Sequence, residues 1–230
     1  MNQIVEEDAT GSLGENVAAQ SSNLEELRAR FGRAAADAGA TASCDDVFLE
    51  LVARYREPHR HYHTLAHISA CLIWLDWFSG SAVHPEEVEL ALWFHDAVYV
   101  LGDGANERRS AELARDRLNA LGVRSEAIER IVAHIHTTAG HDASGGDAAL
   151  VVDIDLSVLG TRRGDFEVFE RRIRLEYAHV PESAYRAARR RVLEGFLSRA
   201  RIYQNALLRA EFEAPARANL KRRIRELSDS

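Results

Sequence analysis

An all-α fold is the expectation, and three observations carry it. Apolar residues recur at three- and four-residue intervals through most of the 230 residues. No stretch alternates apolar and polar residues about a turn dipeptide, as a β-hairpin would, and no βαβ pattern or internal repeat appears. Prolines stand only at 58, 85, 181 and 215, leaving long intervals free for helix. A chain of this length buries about 70% of its unfolded surface in one domain, so a single compact domain suffices.

Residues 1–20 are polar and aperiodic and read as a disordered or loosely packed tail ahead of a helical domain over 21–230. The first helix runs from Asn23 to Ala38, with Leu24, Leu27 and Phe31 on one face and Asn23 or Ser22 as cap. A second starts after Ser43, carries Val47, Phe48, Leu51 and Val52, and ends near Glu57 because Pro58 disfavours helix in its predecessor. The third begins within Arg60–Thr64 and runs to Phe78, before Gly80 and Ser81 break it. Pro85 opens a fourth, with Glu86, Glu87 and Glu89 near its positive end, which carries His95 and Asp96 and stops before Gly102.

Helix five is Asn106 to Leu121, stopped by Gly122, and helix six runs from Ser125 to about His136. Glycines 140, 145 and 146 mark a loop. The apolar run Ala148–Leu159 lacks alternation and reads as a buried helix. Arginine-rich helices follow over Arg162–Ala178 and Ser183–Ala210, and a last one spans Ala216–Leu227. Tryptophans 74, 77 and 93 fall at packing positions and read as core, whereas His59, His61 and His84 read as exposed.

Net charge is −7 and the pI is about 5.8. That balance argues against a nucleic-acid polymer or an anionic membrane as partner and leaves room for a locally basic pocket. No apolar stretch approaches the ~20 residues of a membrane helix. Met1–Gln20 is acidic and lacks a leader-like apolar run. Cys44 and Cys71 are too few for a disulfide framework, so a cytoplasmic protein with reduced thiols is expected.

The informative stretch is Leu92–Tyr99, which sets His95 and Asp96 inside an apolar segment. Burying a carboxylate beside an imidazole costs several kcal/mol, roughly, unless opposite charge or good hydrogen bonds offset it. A divalent ion is the economical partner. Nine of the ten histidines lie between positions 59 and 141. His63 and His67 are spaced to stack on one helical face, with His67 at the edge of the apolar stripe. A set of His67, His95, Asp96 and one later carboxylate fills four positions on Mn, Mg, Zn, Fe, Co or Ni and leaves others for water or substrate oxygen. That carboxylate is Asp153 or Asp155, which point to nearly opposite sides of a helix. Asp155 shares its face with Val151 and Leu159 and is the better inward candidate; Asp153 suits a structural partner, an arginine or a histidine Nδ1–H. Spacing alone does not decide between them.

The words carrying these residues resemble a known family. Tyr55-Arg56-Glu57-Pro58-His59-Arg60-His61-Tyr62-His63-Thr64-Leu65-Ala66-His67, Phe94-His95-Asp96-Ala97-Val98-Tyr99, Asn106-Glu107 with Ser110, and Asp153-Ile154-Asp155-Leu156-Ser157 are similar to those of HD-domain metal-dependent phosphohydrolases. The likeness runs from about residue 45 to the C-terminus. It implies an HD-domain-like helical bundle whose metal ligands are His67, His95, Asp96 and Asp155, with one ion as the base case. His134, His136 and His141 lie where some members hold ligands for further ions.

The expected activity is hydrolysis of a phosphate ester, with a nucleotide or another small phosphorylated metabolite as substrate. Asp96 would orient or deprotonate the attacking water, and His63 would donate to a phosphate or leaving-group oxygen. Glu107 is a candidate supporting base or structural partner, and Arg60 and Arg108 are candidate phosphate clamps. The rival is a metal-containing nucleotide-binding sensor with weak or no turnover; a di-iron oxygenase would need more ligands. A monomer or homodimer is expected.

Overall fold

The computed structural model describes residues 24–228 and is all-helical; the expected tail over 1–20 and the caps at Ser22 and Asn23 lie outside the described residues. Ten α-helices are described: α1 Leu24–Asp37, α2 Asp45–Arg54, α3 Leu65–Phe78, α4 Pro85–Phe94, α5 Asn106–Ala120, α6 Ser125–Thr138, α7 Gly146–Asp155, α8 Arg163–Glu176, α9 Glu182–Ser198 and α10 Ala206–Ser228. Short 3₁₀ turns cover Ser79–Ser81 and Leu156–Gly160. No strand occurs among the described residues, and no helix there is long and apolar enough to cross a membrane.

Helix α4 is the axis of the domain. Every residue from Glu87 to Phe94 is buried, because α1, α3, α5, α6 and α7 all pack against it. A helix wrapped on all sides must be apolar all round, and Val88-Glu89-Leu90-Ala91-Leu92-Trp93-Phe94 nearly is. Trp93 is the centre of the aromatic core, meeting Phe31 and Phe48 edge-to-face at 5.6 and 5.8 Å. The one fully buried charge in the first turn, Glu87, is neutralised by a two-pronged bond from Arg130, at 2.7 Å to each oxygen.

Helix α5 ends as the sequence signals. Gly122 adopts φ +76, its N–H reaches the Asn119 carbonyl, and the Val123 N–H reaches that of Leu118, a closing turn that needs a left-handed residue.

Four elements differ from expectation. Trp77 is 56% exposed, on the outer side of α3, while Trp74 and Trp93 are core. His63 is not helical: Thr64 is extended (φ −114, ψ 175) and α3 begins only at Leu65. The HD pair is not inside α4, which ends at Phe94 with His95 as its C-cap and Asp96 in the following turn. The break expected near Pro215 falls instead at 199–205, and α10 runs through Pro215. The break is held by polar partners from elsewhere. Glu213 accepts the Ile202 and Tyr203 N–H groups, Arg217 donates to the carbonyls of Leu197, Arg199 and Ala200, and the Asn205 side chain caps the N–H groups of Leu207 and Leu208.

Candidate metal centre

Three helix ends meet at the foot of α4. His67 lies in the first turn of α3, His95 and Asp96 follow α4, and Asp155 closes α7. Each of the four offers one ligand atom, and these atoms all lie within 4.8 Å of one another. The Nε2 atoms of His67 and His95 are 3.3 Å apart. Asp96 Oδ2 is 3.0 Å from His95 Nε2 and 3.7 Å from His67 Nε2. Asp155 Oδ1 is 3.2 Å from His67 Nε2 and 3.5 Å from His95 Nε2. Both imidazoles are almost fully enclosed, while the two carboxylates keep slight exposure, 15% and 12% of their side chains. The site therefore opens to solvent on its acidic side.

The donor set fits a divalent cation on geometry and on charge. Bonds of about 2.1 Å set neighbouring ligands about 3.0 Å apart at right angles and about 3.4 Å apart at the tetrahedral angle, and the histidine–histidine and histidine–carboxylate separations here run from 3.0 to 3.7 Å. The His95 Nδ1–H donates to the Leu92 carbonyl at 2.9 Å, so a neutral His95 turns a bare Nε2 lone pair toward two carboxylate oxygens. That arrangement is repulsive unless a positive charge sits among them. Without an ion the charge comes as a proton: burial opposes it, but Asp96 and Asp155 outweigh burial and hold the His95 pKa well above the ordinary imidazole value. Reciprocally, burial disfavours the charged carboxylates, yet the His95 charge holds both Asp96 and Asp155 below the usual range.

The turn carrying Asp96 is fixed from behind by Arg60. This side chain has no exposure, and it donates to the carbonyls of Asp96 (2.7 Å), Ala97 (3.1 Å) and His63 (3.2 Å) and to Glu57 (2.9 Å). Arg60 holds the backbone carbonyls of the turn that follows α4 rather than clamping a phosphate. Arg108 is exposed and paired with Glu112. The exit of the turn is pinned by Ser110, whose Oγ accepts the Val98 N–H, and by Asn106, which pairs with both the N–H and the carbonyl of Val100.

A residue that sequence reasoning missed organises the other wall. Glu176, the last residue of α8, is 3% exposed. Its Oε1 accepts the N–H groups of His61, Tyr62 and His63 at 2.8, 2.7 and 3.0 Å. Its Oε2 accepts His63 Nδ1–H at 2.8 Å and the Tyr99 hydroxyl at 2.9 Å. Burial alone would raise its pKa; His63 and the backbone donors more than reverse that and bring it to about 2. This cradle explains why His63 is not helical, and it brings the His63 ring to 6.1 Å from that of His67. Burial also disfavours the His63 charge, but Asp96 and Glu176 raise its pKa above the ordinary value. In the sequence, Glu176 looks like any glutamate of an arginine-rich amphipathic helix.

The remaining candidates separate clearly. Asp153 is fully buried on the far side of α7, accepting the Asn205 N–H at 2.6 Å, and takes no part in the cluster. Glu107 stands half-buried in the first turn of α5 and makes no hydrogen bond or ion pair with the cluster. His134 is buried with neither ring nitrogen bonded, and His136 is exposed. His59 is half-buried, with Nε2 2.9 Å from the Tyr99 carbonyl. His141 reaches the centre, its Nε2 3.1 Å from Asp155 Oδ2.

Compared with protein-family models, curated proteins and solved structures, the chain gives no match. What it can do is therefore read from its own geometry: a buried pair of histidines and a pair of carboxylates able to hold a metal ion, beside a histidine that a carboxylate orients.

Proposed function

We propose that the protein is a metal-dependent hydrolase of small phosphate esters, a nucleotide or similar phosphorylated metabolite, built on an HD-type centre of His67, His95, Asp96 and Asp155. The observation that carries this reading is the convergence of the four ligand atoms next to His63, whose Nδ1 is committed to Glu176. A divalent ion bound there supplies positive charge that acidifies water and neutralises charge on a phosphoryl group. The chain does the rest. Asp96 turns Oδ2 to the cluster and leaves Oδ1 to accept a proton from the attacking water. With Nδ1–H held by Glu176, His63 carries a second proton at Nε2 as the imidazolium, the form that Asp96 and Glu176 favour, and delivers that proton to the departing oxygen. The resemblance of the histidine-rich and His-Asp words to HD phosphohydrolases supports the same assignment. Glu107 is left as a favourable charge at the start of α5.

The test is a panel of phosphate mono- and diesters, nucleotides included, with the full chain loaded in turn with Mn, Mg, Zn, Fe, Co and Ni. Turnover that requires the ion and disappears in Asp96→Ala is expected. Tight nucleotide binding by the metal-loaded protein with no turnover would favour a sensor, and failure to bind any ion would overturn both.

A further inference from the structure

His141 is the one non-glycine residue described with a left-handed backbone, at φ +46, a conformation that residues with a side chain adopt rarely and that concentrates at functional positions. It is over-determined from outside its own loop. Arg199, just beyond α9, forks onto two successive carbonyls, those of Gly140 (2.8 Å) and His141. Phe196, one turn earlier in α9, meets the His141 ring edge-on at 5.6 Å, and the Arg199 guanidinium lies over that same phenyl ring. The result of this clamping is one contact: His141 Nε2 at 3.1 Å from Asp155 Oδ2.

The two oxygens of Asp155 are thereby divided. Oδ1 faces His67 and His95 at 3.2 and 3.5 Å, and Oδ2 faces His141. A carboxylate only accepts, so Nε2 carries the hydrogen. We propose that His141 is a positioning residue that holds Asp155 to one-oxygen binding of the ion and so keeps a coordination position free for substrate, with Arg199 as the clamp that sets it. A carboxylate released from such a partner is free to chelate through both oxygens and close that position. The inference rests on the metal reading above and deepens it.

The experiment uses Co²⁺ as probe in the full-length protein, read by visible absorption and by competition with a chromophoric chelator. Wild type binding no Co²⁺ would sink the metal reading and this inference with it. Given binding, His141→Ala is expected to show weaker visible bands, as coordination number rises, and about a 10- to 100-fold loss of affinity. His141→Gln restores a donor at the same reach and should return the wild-type spectrum. Arg199→Ala should move the spectrum in the direction of His141→Ala, and the double variant should add little to either. Because circular dichroism shows whether each variant is folded, a folded His141→Ala protein with an unchanged Co²⁺ spectrum overturns the proposal while leaving the metal reading intact.

Discussion

Glu176 takes the Nδ1–H of His63 on one oxygen while the other gathers the N–H groups of residues 61–63, so a single side chain sets both the path and the ring orientation of His63. Because its folded pKa, about 2, is below the ordinary 4.5, the stabilisation is present above about pH 4.5 and is lost as pH falls toward 2. Its upper bound is about 3 kcal/mol. His63 has the opposite sign: its pKa is raised, so its share is complete below about pH 6.5 and fades as pH climbs through the folded value. Urea unfolding should therefore show Glu176→Gln most damaging between these limits, with the gap to wild type narrowing on both sides. A gap that stays constant from pH 3 to 9 would contradict this.

Ion binding should compete with protons. Since the His95 pKa is held up by Asp96 and Asp155, that proton must leave before Nε2 can ligate. Calorimetric titration in buffers of different ionisation enthalpy is expected to show proton release and an affinity that falls from pH 8 to pH 6. An ion at 100 times its Kd should add about 2.7 kcal/mol to stability. Asp155→Ala and Asp96→Ala should abolish that increment.

Arg60→Lys is expected to behave as a radical change. The guanidinium serves three carbonyls and Glu57 from a position with no solvent, and an ammonium cannot reproduce that fork. A loss of about 3 kcal/mol in chemical denaturation is expected, with weaker metal binding because the turn bearing Asp96 loses its support. Equal stability and affinity in the lysine variant would show that the clamp is dispensable.

Two glycines make a matched pair. A Cβ on Gly160 would stand 2.6–2.9 Å from the Cβ, O and Cα atoms of Phe212, which is mostly backbone and cannot swing away, whereas a Cβ on Gly32, in the middle of α1, meets nothing within 4 Å. Gly160→Ala should lower stability by about 2 kcal/mol or more, and Gly32→Ala should raise it by about 0.5–1 kcal/mol. Thermal melts of the two variants should move in opposite directions.

The helices were legible because 3.6-residue periodicity and glycine stops are local, as at α5 and Gly122. His95 and Asp96 were legible because they break an apolar pattern at a cost that demands compensation, and His67 because it edges an apolar stripe. Asp155 was one of two aspartates in its run that spacing left open, and the family resemblance favoured it. What stayed hidden is whatever depends on a partner far along the chain. His63 fits a helical stripe by spacing, yet Glu176, 113 residues away, pulls it out of helix. Arg60 looks free to bind phosphate until the carbonyls of the turn at Asp96 and Ala97 are placed against it. Trp77 shares composition with Trp74 and differs only in which side of α3 it faces. The break at 199–205 stayed hidden too, because Glu213 and Arg217, further along the chain, hold its backbone.

The candidate ligands come from residues 67 to 155, whereas the groups that aim His63 and His141 come from 176 and 199. Closing loops of that span is entropically slow compared with winding a helix. In refolding, then, the chain should regain most of its ellipticity before it can capture an ion tightly, and the moment of capture would time the arrival of the last third of the polypeptide.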